Sequence, residues 1–154
     1  MRLGTVTLLG VALALGGSLA CAAGADAPPQ IEVDRTACAH CGMLISEPIY
    51  AAAYKAPDAD ARVFDDIACL LAAVSSTERG VMLRFWFQDA AGQGWIDGER
   101  AVFVKSPRLR TPMNGGIAAY RDRASAAKAA TEHGGRVIEG LNELLESETK
   151  GGEL

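Results

Sequence analysis

Apolar residues return at Ile67, Leu70, Leu71 and Val74, the spacing that lines one face of an amphipathic helix. Asp65 or Asp66 stands where an N-cap is needed, and Ser75-Ser76 marks where the helix runs out. Ahead of it, Arg62-Val-Phe-Asp65 reads as a short strand. Val81 to Phe87 is a second strand, rich in aromatic and branched residues, closed by the turn-like stretch Asp89 to Gly94. Met82 falls inside this apolar run and is expected in the core. Trp95-Ile96 and Ala101 to Lys105 flank Asp97-Gly98, which predicts a hairpin turn. Arg121 to His133 is an Ala-rich helix stopped by Gly134-Gly135, followed by a short strand at Arg136 to Ile138 and a last helix from Leu141 to Ser147.

Two stretches resemble each other: Met43 to Tyr54 and Met113 to Tyr120 each place a Met ahead of an Ala-rich segment ending in Tyr. With the elements around them, they predict an α+β fold of two similar small ββαβ halves, about 43–92 and 93–147, in a domain spanning 31–148 with a frayed tail at 149–154.

The N-terminus does not belong to that domain. Arg2 precedes an almost uncharged apolar run from Thr5 to Ala20 that ends in small residues, the pattern of a signal peptide over residues 1–20. The run is broken by Gly16-Gly17 and is short of the ~20 apolar residues a spanning helix needs. Leu19-Ala20-Cys21 resembles a lipobox, in which Cys21 is acylated, although Ser18 and Leu19 stand in the reverse of the usual order. Ordinary cleavage between Ala20 and Ala25 is the alternative. The small, proline-bearing residues 21–30 then form a flexible tether. Loss of residues 1–20 removes one Arg and no acid, so a formal charge of -4 becomes one unit more negative. No basic block remains to neutralise phosphates, which disfavours nucleic acid as a partner.

Beyond Cys21, the exported part keeps Cys38, Cys41 and Cys69. An odd number of thiols in an oxidising compartment leaves one unpaired and points to reactivity or metal binding. Cys38-x-x-Cys41 alone serves redox pairs, zinc sites and local disulfides equally. Cys41-Gly-Met43 narrows the choice: a thiolate and a thioether two residues apart are soft donors that suit Cu(I) and fit calcium or magnesium poorly. Zinc calls for four ligands, and only Cys69 and His133 remain to supply them. A redox pair calls for a helix after the cysteines, where Pro48 argues against one. Thr111-Pro-Met113-Asn-Gly-Gly116 holds a second Met in a Pro turn, well placed as a presented ligand. A pseudo-twofold relation between the halves would set Met43 and Met113 at equivalent positions beside one cleft. His40 is a possible nitrogen donor or a solvent-facing side chain; Cys69 is most simply a small packed thiol, and Asp65-Asp66 a helix start.

The chain resembles the NosL-type copper chaperones, accessory lipoproteins of nitrous oxide reductase. The shared motifs run in order from Cys38-Ala-His-Cys41-Gly-Met43 through Phe64-Asp-Asp-Ile67, Trp95-Ile-Asp97, Ala101, Thr111-Pro-Met113 and Ala118-Ala-Tyr120 to His133-Gly-Gly135. The resemblance implies a periplasmic, lipid-anchored, non-enzymatic protein of two small ββαβ halves, like those of an organomercurial lyase. It also implies one bound Cu(I), held by Cys41, Met43 and Met113, with Cys38 and His40 as further candidates. The implied partner is a copper-receiving protein of the nitrous oxide reductase maturation system. A thiol-disulfide oxidoreductase using Cys38 and Cys41, and a copper-sequestering module without specific transfer, are the competing functions.

Overall fold

The computed structural model describes residues 27–76 and 82–151. The proposed signal peptide, Cys21 and most of the tether lie outside the described residues. Four strands, β1 (Ala52–Lys55), β2 (Arg62–Phe64), β3 (Arg84–Gln88) and β4 (Trp95–Asp97), form an antiparallel sheet in the order β2-β1-β3-β4. A second antiparallel sheet runs β6-β5-β7, from β5 (Val102–Lys105), β6 (Ile117–Tyr120) and β7 (Arg136–Ile138). Helix α1 (Ile67–Ser75) follows β2, α2 (Arg123–His133) follows β6, and α3 (Leu141–Gly151) closes the chain. The fold is therefore α+β, with the expected ββαβ unit present twice: in each sheet the first strand of the unit lies between the second and the third.

One core joins the two sheets. Phe87 of β3 meets Phe103 of β5 edge to face, with ring centroids 4.8 Å apart, and both are fully buried with Phe64, Ile67, Leu70, Ile96, Ile117, Ile138 and Leu144. Burial of each such side chain contributes about 1.5–3 kcal/mol, so neither half is independent of the other. β1 and β6 each carry two fully buried alanines, Ala52-Ala53 and Ala118-Ala119, where close packing on both sides of the strand favours small residues.

Several expectations need correction. Asp97-Gly98 makes no hairpin: β4 pairs with β3 in the register Trp86↔Asp97, while β5 pairs with β6 and β7. Gly98–Arg100 is instead a short 3-10 turn, and a Cβ on Gly98 would come within 2.7 Å of Phe85 Cβ, so this glycine serves close packing. The division between sheets thus falls after β4, not at residue 93. The Val81 strand starts at Arg84, and Met82, expected in the core, is 83% exposed. α3 runs on to Gly151, past the expected Ser147, with Leu144 buried and Glu148 paired to Lys105. At the other end, Trp95 Nε1 donates to Pro29 O at 3.0 Å, fastening the chain two residues before the expected start.

The internal likeness of Met43–Tyr54 to Met113–Tyr120 also fails as an alignment, because it sets β1 against β6. By sheet order β1 corresponds to β5, and β2 corresponds to β6. Met43 precedes β1 whereas Met113 lies between β5 and β6, so the two are not equivalent positions.

Candidate metal centre

Residues 34–45 form a narrow antiparallel loop. Ile45 N donates to Thr36 O and Asp34 N to Ile45 O, both at 2.9 Å, and Cys38 N donates to Met43 O at 2.8 Å. Inside it, Gly42 N donates to Cys38 O at 3.0 Å, and the tight return puts Gly42 at φ +76°, a conformation that favours glycine. The loop is fastened to β2 from two sides. Ala39 N donates to Val63 O at 2.8 Å, and Arg62 Nη2 donates to Ala39 O at 2.8 Å. Arg62 is itself held by Tyr54 Oη at 2.9 Å and lies over the Tyr54 and Phe64 rings.

This arrangement buries Cys38, leaves Cys41 half-buried and exposes His40 and Met43. A third thiol joins them: Cys69, in the first turn of α1, brings its Sγ to within 4.8 Å of the other two, and the three sulfurs all lie that close to one another. All three are free thiols, with Cys38 and Cys69 each 3% exposed. Their environments differ. Burial alone would push the Cys38 thiol up, but backbone N–H groups of Cys41, Asp65 and His40, with the Cys41 side chain, outweigh it and hold Cys38 below the usual thiol range. Cys69 goes the other way, raised by burial first and then by the Cys38 and Cys41 sulfurs. Three sulfurs so placed could hold a soft metal ion.

Met113 reaches the same region through Asp66. The Asp66 carboxylate is fully buried; Oδ1 accepts from Ala68 N at 2.8 Å and caps α1, while Oδ2 accepts from Thr111 Oγ1 at 2.6 Å and from Met113 N at 2.9 Å. Thr111 Oγ1 accepts in turn from Gly116 N at 3.2 Å. The loop sits so low on the helix that a Cβ on Gly115 would lie 2.5 Å from Ala68 Cβ. On Gly116, at φ +65°, it would lie 2.4 Å from Ser106 O. Met113 is thereby presented 40% exposed, as Met43 is at 52%. Consecutive residues thus serve both loops: Asp65 N–H faces the Cys38 sulfur, and the Asp66 side chain holds the Met113 backbone. The Asp65 carboxyl is buried with no hydrogen-bond partner at Oδ1 among the described residues, and is raised by burial first and then by the charges of Asp66 and Glu47.

Of the residues expected at the site, Cys38 and Cys41 are brought together. Met43 shares their turn, His40 offers its backbone N–H to Cys38 while its ring faces solvent, and Met113 is anchored to the β2–α1 turn. Cys69 is the packed thiol expected, but its closeness to Cys38 and Cys41 is what sequence reasoning missed; the signal available was an odd third cysteine off the main apolar stripe. Asp66 was visible only as a cap.

Residues 29–146 match the NosL family. Among solved structures, the chain is similar in fold to the crystal structure of the copper chaperone NosL from Shewanella denitrificans, with a TM-score of 0.60 at 18% identity, over 73% of this chain and 94% of that one. No curated protein sequence matches the chain.

Proposed function

We propose that this chain, which belongs to the NosL family, is a periplasmic Cu(I) chaperone that hands its ion to a copper-receiving protein of the nitrous oxide reductase maturation system. The observation that carries the reading is the sulfur-rich character of the loop: Cys41 stands at the boundary between buried Cys38 and exposed Met43. Sulfur donors of this kind suit soft ions, and the thioethers beside Cys41 favour Cu(I) over hard ions such as calcium or magnesium. Cys41, giving up its proton on binding, supplies the charged bond; Met43 and Met113 complete a soft site that a partner can reach. Thioethers are neutral and weak, so a receiver's ligands displace them one at a time while Cys41 retains the ion, and copper is never released to water. An acyl anchor on Cys21 would hold the domain at the membrane. Among the described residues, no helix is long and apolar enough to cross one.

Anaerobic competition titration of Cu(I) with the wild type, Cys41→Ser and Met113→Leu tests the reading. One copper per chain and weaker binding in both variants are expected. A stoichiometry far from one, or unaltered affinity in both, refutes it. A thiol-disulfide enzyme would need Cys38 and Cys41 and be indifferent to Met113→Leu, whereas a sequestering module would bind copper but pass none to a receiver.

A further inference from the structure

We infer that Cys38, Cys41 and Cys69 form an inner three-thiol seat for Cu(I), behind the exposed thioethers and sharing Cys41 with them, so that the ion has two positions in one site. This rests on the Cu(I) reading above and adds to it two buried ligands and a direction of movement.

Geometry is the first support. A soft ion about 2.3 Å from each of three sulfurs in one plane sets them about 4.0 Å apart. The three Sγ atoms already lie within 4.8 Å of one another, on an anchored loop and a helix first turn, so closure on the ion is a side-chain adjustment. The second support is depth: Cys38 and Cys69 are almost wholly buried, whereas Met43 and Met113 are open to a partner.

Cys41 is common to both positions. Copper bound by Cys41, Met43 and Met113 moves inward as the thioethers are exchanged for Cys38 and Cys69, and outward in reverse. The ion stays Cu(I) throughout; each thiol that enters coordination gives one proton to solvent, and each thioether departs neutral. Thiolates hold Cu(I) more strongly than thioethers, so the inner seat retains the cargo and the outer set offers it for transfer.

The Met43→Leu/Met113→Leu double variant isolates the inner seat, and both side chains are exposed enough for the change to spare the fold. Under anaerobic Cu(I) titration and copper K-edge X-ray absorption, it should keep one ion with three sulfur neighbours, at an affinity about tenfold or less below wild type. Adding Cys69→Ala should cost a further factor of about 10–100 and leave two sulfurs; circular dichroism checks that the triple variant is folded. Loss of copper from the double variant, two or fewer sulfurs in it, or no effect of Cys69→Ala overturns the inner seat. If Cys41→Ser and Met113→Leu both bind as well as the wild type, the chaperone reading itself fails. If Cys41→Ser is weak and Cys69→Ala silent, only the inner seat fails.

Discussion

Removal of the Asp66 carboxylate should cost far more than removal of an ordinary helix cap. Asp66→Ala deletes the acceptor for Ala68 N, and with it an N-cap worth about 1 kcal/mol. It also deletes both bonds made by Oδ2, to the Thr111 hydroxyl and the Met113 amide, each worth about 1.5–3 kcal/mol because the acceptor is charged. These terms share one group and do not simply add. Relief of the carboxylate's own burial offsets part of them, which leaves an expected loss of about 3–5 kcal/mol at neutral pH. Against a typical domain stability of 5–15 kcal/mol, that is a large fraction. Urea unfolding followed by tryptophan fluorescence reads it directly, since Trp86 is buried in the first sheet.

The control lies within the same chain. Asp122 caps α2 through Ser125 N with almost the same backbone geometry, but is exposed and bonds nothing in another loop. Asp66→Ala should therefore cost several times as much as Asp122→Ala. Asp66→Asn should fall between them, since an amide oxygen can still cap α1 while the amide nitrogen faces two donors. Equal losses for Asp66→Ala and Asp122→Ala would refute the claim that Asp66 fastens the Met113 loop.

Three further outcomes are expected. Gly116→Ala should destabilise by about 2 kcal/mol or more, because it meets both a positive φ and a Cβ 2.4 Å from Ser106 O, whereas Gly42→Ala, with open space around it, meets the backbone penalty of about 1 kcal/mol alone; similar urea midpoints for the two would contradict this. Arg62→Met should cost about 1 kcal/mol and weaken Cu(I) binding, since it frees Ala39 O and loosens the cysteine loop; unchanged binding in a competition titration would show that the loop holds without it. The raised Asp65 carboxyl gives a pH signature: the folded state holds that proton more tightly than the unfolded chain, so its contribution is full below about pH 3.9 and is lost as pH rises through the folded value. Asp65→Asn should be no less stable than wild type at neutral pH and should show a smaller fall between acidic and neutral midpoints, and parallel profiles for the two would count against the assignment.

What was legible in the sequence was local. The helix stripe from Ile67, the Asp cap before it and the Gly134 stop after α2 each depend on residues within a turn of one another, and each stands where expected. The soft character of Cys38 to Met43 was legible for the same reason. Asp97-Gly98 misled because a dipeptide that suits a hairpin also suits a 3-10 turn, and the choice was made by Phe85 packing on Gly98 from another strand. The Met-to-Tyr likeness misled because burial on two sides selects alanine in β1 and β6 alike; the two-half architecture it suggested is present, on a different alignment. Cys69 was hidden by distance. Its place near Cys38 and Cys41 depends on α1 packing beneath the cysteine loop, which no spacing in the chain encodes.

The corrected alignment shows why the candidate centre lies at the start of α1 and has no counterpart at the start of α2 among the described residues. The cap residues Asp66 and Asp122 follow corresponding strands with matching backbone angles, φ −140° and ψ 147° against φ −143° and ψ 156°. What differs is what lies over them. The β5–β6 connection is long enough to carry Thr111 to Gly116 onto the start of α1, and the loop before β1 brings Cys38 to the adjoining Asp65 N–H. The candidate centre is therefore a joint between the halves: its three thiols come from the first, Met113 from the second, and the two-residue turn Asp65-Asp66 fastens both loops. A ligand that binds only the joined state stabilises the joint by mass action. Copper bound there would be coupled to the fit of the Phe87–Phe103 contact that unites the sheets, because Cys38 and Cys69 belong to the same buried cluster as both rings, and a substitution in that shared core should be felt as weaker copper binding before the domain unfolds.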